Sequence, residues 1–375
     1  MNDSLAPKPG AVIFVGNGRC YHTMDWYRTA QQVLAPRPLM FATDLVESEG
    51  HVRLLRDDDH VIELFNVDAM LLPRQSTIGN VWRNALKFAM LPVQVLLLKR
   101  LYRRMPDATY HAHTMYYMLA CMLARVPFVG TPQGSEILVR PYRSRVYHWF
   151  ASRALRAADT VTVDSAAMAN AVRSLSGRDA DIVQWGVDVQ AINDAGAASA
   201  ERTGILSIRG LTPNYRIAEI LAARDASSNA QKVDLVYPFV FEDYAVAVRA
   251  ALRQGDRDLG RLPRAELYAA MRRALLVVSI PISDSSPRSV YEAIFSDACI
   301  AVTQNAYLHI LPACMRSRLV VVNPEQGGWL EDALARAREI VAKPYLPSAE
   351  ALDLFDQRRS VQRLAKSFYR PLATA

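Results

Sequence analysis

Short runs of β-branched and apolar residues alternate along this chain with segments in which apolar positions recur at helical spacing. Ala11–Val15, Val126–Gly130, residues 160–164 and Ala274–Ile280 have the length and composition of buried strands. Helical periods lie near Trp26–Leu34, over 142–157 and over 165–175. Strands and helices in alternation predict an α/β protein in which parallel sheets are covered by helices. The stretch 190–204, rich in Ala, Gly and Ser, contains little that could join a core and reads as an interdomain linker. It separates an expected first domain, 1–189, from a second, 205–358. In the remaining segment, 359–375, Ser360–Tyr369 has helical spacing.

Size and charge sharpen this picture. A chain of 375 residues, 51% hydrophobic, can bury two ordinary cores. Cys20, Cys121, Cys299 and Cys314 are scattered without metal-ligand spacing, as expected of reduced thiols in the cytosol. The first residues lack the basic-then-apolar pattern of a signal peptide, and no run of 18 apolar residues predicts a membrane span. The formal net charge of +7 is uneven. Between Asp68 and Asp107 there is no acidic residue, while Arg74, Arg83, Lys87, Lys99, Arg100, Arg103 and Arg104 are interleaved with apolar side chains. Two readings fit residues 74–104: an interfacial segment on anionic lipid, or helices packed on the first domain with a solvated basic face. No nucleic-acid motif accompanies the charge, so a nucleic-acid partner is not expected.

The segment from Ser283 to Ala293 carries the most chemistry. It follows the apolar strand and sets Asp284 and Glu292 seven residues apart across a polar loop and a helix start. Ser285 and Ser286 are candidate caps, and Pro287 suits a first helical turn. Free backbone N–H groups and the helix dipole at such a tip favour an anion. The loop, the acidic spacing and the pair Glu292-Ala293 resemble the E-x7-E motif of retaining GT-B glycosyltransferases, especially glycosyltransferase family 4. Tyr110–Thr114 resembles that family's histidine loop, and Phe128–Ile137 its strand and Gly-Ser-acid turn. Val183–Asp188 is similar to the segment that ends its first domain, Ile205–Leu211 to the strand that opens the second, and Leu259–Leu267 to the loop and helix before the acidic pair.

The resemblance implies a GT-B fold: two Rossmann-like domains with parallel sheets facing a central cleft, and a final helix crossing back to the first domain. It implies that Glu292 holds a nucleotide ribose and that Asp284, Ser286, Pro287, Arg288 and Ser289 line the donor site. Arg209 is the expected phosphate ligand. The family's following Lys is here Tyr215, so Arg288 is a candidate replacement. Gly16 and Gly18 would bring backbone close to the phosphates, although an ordinary tight turn fits them as well. His113 is the candidate contact to sugar or acceptor. Gly134, Ser135 and Glu136 would face the donor, and Glu136 equally suits a helix cap. Gln133 replaces a common histidine, Asp284 shortens the first acid, and Asp297 and Cys299 replace a glycine and a proline.

These residues predict a retaining, metal-independent transfer of sugar from a nucleotide-sugar to a glycan or lipid-linked glycan. No cofactor is expected. Surface polysaccharide or lipopolysaccharide biosynthesis is the expected setting, with the protein cytoplasmic or peripheral at the inner face of the plasma membrane. The competing expectation is a catalytically weak GT-B protein that serves as scaffold for another glycosyltransferase. A nucleotide-sugar epimerase on the same fold lacks its expected carboxylate and histidine clusters.

Overall fold

The structure is a computed structural model that describes residues 10–46, 54–71, 77–196, 201–227, 231–284 and 286–371. It divides into two compact units, one formed by Met1–Gln184 with Arg358–Ala375 and the other by Trp185–Gln357. The first unit contains seven strands: β1 (Val12–Val15), β2 (Leu39–Thr43), β3 (Val61–Glu63), β4 (Thr109–His113), β5 (Phe128–Thr131), β6 (Thr160–Val163) and β7 (Asp181–Ile182). They form one parallel sheet in the order β3-β2-β1-β4-β5-β6-β7. The second unit contains β8 (Thr203–Ser207), β9 (Val233–Val236), β10 (Arg257–Gly260), β11 (Ala274–Ser279), β12 (Ile300–Val302) and β13 (Leu319–Val321). Its parallel order, β10-β9-β8-β11-β12-β13, repeats the pattern of the first.

Both sheets are therefore doubly wound, and each reverses direction once, between β1 and β4 and between β8 and β11. Just beyond the carboxyl ends of such a strand pair, the connecting loops run to opposite faces and leave a crevice. Helices cover both faces of the central strands, so β1, β2, β4, β5 and β11 are buried at every residue.

Several local expectations change. The helix expected over 142–157 is two, Arg140–Arg143 and Arg145–Ala157, because Ser144 turns extended and its side chain accepts from the Tyr147 N–H to cap the second. Within the expected linker, Val189–Asp194 is helical, started by the Asp188 side chain accepting from the Ala191 N–H, and Ile192 is buried in the second unit. The unit boundary falls at Gln184 and Trp185, and residues 197–200 of that linker lie outside the described residues. The Gln357–Phe368 helix leads the chain's last residues into the first unit.

Residues 74–104 contain one helix, Thr77–Arg104, which runs through Pro92. Arg74 lies outside the described residues. The helix is not an interfacial segment on all sides: Leu91, Leu98 and Leu101 join the core of the first unit. Lys87 is also inward-facing, with its Nζ 3.0 Å from Asp44 Oδ2 and 3.1 Å from the Tyr117 hydroxyl. Gln94 donates to the same carboxylate at 3.1 Å, and the Tyr117 hydroxyl donates to it as well.

Candidate functional site

In the second unit, the loops after β8 and β11 converge at the strand-order reversal. Arg209 stands two residues beyond β8, and Asp284 lies in the loop after β11. The Arg209 guanidinium donates to Asp284 Oδ2 at 2.5 Å and to Ser289 Oγ at 2.8 Å. It also lies 4.3 Å from the centre of the Tyr215 ring. Tyr215, which stands where a second cation was expected, therefore stacks on the first one and limits its rotamers. Arg209, Asp284 and Ser289, each expected at the donor site, meet in this cluster, but Arg209 is held by its own neighbours. Arg216 is engaged locally, 3.6 Å from Glu219.

The helix after this loop is Arg288–Phe295, so Pro287 is the residue before its first turn and not part of it. Ser286 does not cap that helix through its hydroxyl, which instead pairs with the Tyr291 hydroxyl at 3.2 Å. Ser285 lies outside the described residues. Glu292 is 9% exposed, and one carboxylate oxygen accepts from the Tyr268 hydroxyl at 3.4 Å. Burial, and after it the Glu292 charge, raises the pKa of Tyr268, so that hydroxyl remains a donor.

Tyr307 is a site residue that sequence reasoning missed. It is buried against Tyr291, with ring centres 6.3 Å apart, and its hydroxyl has no partner among the described residues. Burial and then the Asp284 charge raise its pKa. A buried hydroxyl without a partner costs free energy until something bonds it. Nothing in the spacing of Asn305-Ala306-Tyr307 signals this.

In the first unit, the loop after β1 and the end of β4 meet at the corresponding reversal. A Cβ at Gly16 would lie 2.9 Å from Thr23 Cγ2, and one at Gly18 would lie 2.5 Å from the Leu45 carbonyl oxygen. Close approach of the protein to itself thus accounts for both glycines. His111 and His113 share one face of β4, with ring centres 4.2 Å apart. His111 bridges the Tyr369 hydroxyl and Thr131 Oγ1, each at 2.7 Å. His113 is 1% exposed, and burial lowers its pKa to about 3, which leaves the ring neutral.

The Gly134-Ser135-Glu136 segment is not an open turn but the start of a short helix, Gly134–Leu138. Glu136 caps it, accepting from the Gln133 N–H at 3.0 Å, and also accepts from the Met115 N–H at 2.9 Å. Burial raises its pKa against the effect of those bonds. Gln133 donates to Cys20 Sγ at 3.1 Å, tying this helix start to the loop after β1.

Residues 35–188 match the family described as Glycosyl transferase 4-like domain. The matched segment runs from just before β2 to the residues that follow β7. No curated protein sequence matches the chain. Among solved structures, a sucrose-phosphate synthase from Thermosynechococcus elongatus is similar at a TM-score of 0.70 and 12% identity, covering 95% of this chain and 97% of that one. Anabaena HepE, described in complex with UDP, gives 0.67 and 13%, covering 95% and 99%. The lipopolysaccharide outer core galactosyltransferase WaaB, in its apo form, gives 0.61 and 10%, covering 95% and 99%. At such identities the likeness is one of fold. That fold is GT-B.

Proposed function

We propose that the protein is a retaining glycosyltransferase that moves a sugar from a nucleotide-sugar to a glycan or lipid-linked glycan. The observation that carries the reading is the cluster of Arg209, Asp284 and Ser289 at the strand-order reversal of the second unit, with nearly buried Glu292 three positions after Ser289 on the same helix. A nucleotide-sugar presents two chemical demands there. Its diphosphate gains negative charge as the glycosidic bond breaks, and a guanidinium beside the N-terminus of the Arg288–Phe295 helix stabilises that charge. Its ribose presents adjacent hydroxyls, which a carboxylate such as Glu292 accepts.

In this reading Asp284 orients Arg209 and loses part of that contact when phosphate arrives. The acceptor hydroxyl attacks C1 of the donor sugar on the face from which the diphosphate leaves. Its proton passes to a diphosphate oxygen as the new C1–O bond forms, so configuration is kept without an enzymic nucleophile. No metal is required, because Arg209 and the helix terminus meet the leaving-group charge. His113 is the first unit's candidate for holding the sugar or acceptor; HepE, described in complex with UDP, supplies the analogy for a UDP-linked donor, and the lipopolysaccharide outer core galactosyltransferase WaaB that for a lipopolysaccharide acceptor. An anionic membrane surface at the inner leaflet, reached through residues 74–104, would present a lipid-linked acceptor.

A second reading follows from the same cluster. Arg209 is already satisfied by Asp284, Ser289 and Tyr215, as a protein that only binds another glycosyltransferase would have it. Calorimetric titration with UDP, GDP and ADP separates the two. Micromolar binding of one nucleotide, weakened at least roughly tenfold in Glu292→Ala, is the expected result for a hydrogen bond to a charged group. Absence of binding by all three to the folded protein would favour the scaffold.

A further inference from the structure

The outer face of the Thr77–Arg104 helix is as apolar as its inner one. Phe88 is 50% exposed and Leu96 67%, and the helix continues into exposed Lys99, Arg100 and Arg103. A second helix adds to this face. On Arg145–Ala157, Val146 is 73% exposed and Trp149 59%, at a spacing that puts them on one stripe with exposed Arg153. Phe88 and Phe150 join the two helices, their ring centres 6.2 Å apart. Arg153 lies 4.8 Å from the centre of the Trp149 ring.

Charge identifies what such a face fits. Acidic residues are absent from the sequence between Asp68 and Asp107 and again between Glu136 and Asp159, the two stretches that supply these helices. Exposed aromatic and aliphatic side chains bordered by Arg and Lys, with no carboxylate among them, match the boundary between acyl chains and anionic headgroups. An acidic protein surface would leave the exposed apolar groups unmatched. A second copy of this chain would set its arginines against identical arginines across a two-fold axis.

We infer that the Thr77–Arg104 and Arg145–Ala157 helices together form a docking face for an anionic lipid bilayer. The first helix lies on the bilayer and does not cross it. Its Val81–Arg104 segment is long and apolar enough to span, but Leu91, Leu98 and Leu101 pack in the core and Lys87 is locked to Asp44. Trp149 and Val146 enter the headgroup region, where arginines that border them meet phosphate. The inference deepens the membrane part of the proposed function and is independent of the donor site.

The test is co-sedimentation of the full chain with vesicles of phosphatidylcholine alone or with phosphatidylglycerol, at low and high salt. Binding to the phosphatidylglycerol vesicles at low salt, weakened by salt, is expected. Arg145→Glu with Arg153→Glu is expected to lower the partition coefficient by roughly tenfold or more, since each basic residue near an anionic surface contributes about a fivefold factor. Leu96→Glu with Val146→Glu should abolish binding, with circular dichroism and thermal unfolding unchanged because both sites are exposed. Equal binding to neutral vesicles, no binding by the folded wild type, or wild-type binding by both double variants overturns the inference. So does concentration-dependent self-association that the same variants remove, which would assign the face to a second copy. Titration with UDP, GDP and ADP runs alongside: vesicle binding without binding of any of the three counts against the transferase reading and leaves the docking face standing, and the reverse sinks only the docking face.

Discussion

His113 shows how burial turns a candidate ligand into a stability element. Its pKa falls from 6.5 to about 3 on folding, so the folded chain binds fewer protons than the unfolded one between those values. Its contribution is present above pH 6.5 and is lost as pH falls toward 3. The loss between neutral pH and about pH 5 should reach about 1–2 kcal/mol for this group. Urea unfolding of His113→Gln, measured at both pH values, should show a correspondingly smaller gap than wild type. Adjacent His111, lowered for the same reason and then by His113, keeps some acid sensitivity in the variant. At this scale the candidate donor site was legible where it is local in sequence: Asp284, Ser289 and Glu292 lie in one loop and helix. Arg209 was legible because it follows a strand. The stacking of Tyr215 on Arg209, the Tyr268–Glu292 bond and the unpartnered Tyr307 were not, since each depends on segments brought together only by the sheet.

At the scale of elements, apolar runs placed the strands well, because a strand covered on both faces is apolar at nearly every residue. Ala11–Val15 became β1, Ala274–Ile280 became β11 and residues 160–164 became β6. Helix ends were less legible, since a single capping serine, Ser144, splits a stretch whose period is continuous. The two faces of the Thr77–Arg104 helix were not separable by pattern at all: Leu and Val lie on both. What fixes its orientation is polar, the buried ion pair of Lys87 with Asp44, 43 residues apart, supported by Gln94 and Tyr117. Lys87→Met leaves Asp44 charged at 0% exposure and should destabilise the fold by about 3–5 kcal/mol. Lys87→Met with Asp44→Leu should recover a large part of that loss, because no charge is then buried alone. A double-mutant cycle in denaturant measures the difference.

At the scale of the molecule, the fold class, the two units and their parallel sheets follow from alternation of strand and helix. The repeated strand order does not, because it is set by which neighbours each strand meets and not by its own residues. Nor does the way the first unit is completed. Tyr369 reaches His111 across 258 positions, the Arg370 N–H donates to Thr109 Oγ1 at 3.0 Å, and Arg37 donates to the Arg370 carbonyl at 2.6 Å. Val361 and Leu364 of the preceding helix are also buried. A chain ending at Gln357 should therefore lose amide-exchange protection in β1 and β4 by roughly tenfold or more, as three hydrogen bonds at about 1 kcal/mol each imply. Protection in β8 and β11 should remain near that of the full chain.

That discontinuity also sets an order of events during synthesis. The polypeptide emerges amino end first, so the strands of the first unit are made early, yet residues that bond to its β4 are made only after the whole of the second unit. The second unit, Trp185–Gln357, is contiguous and can close before its elder neighbour does. At ribosomal rates of about 5–20 residues per second, the first unit waits roughly 10–40 s for the Tyr369 side chain. Through that interval β4 carries His111 without one of its two partners, a state open to chaperones.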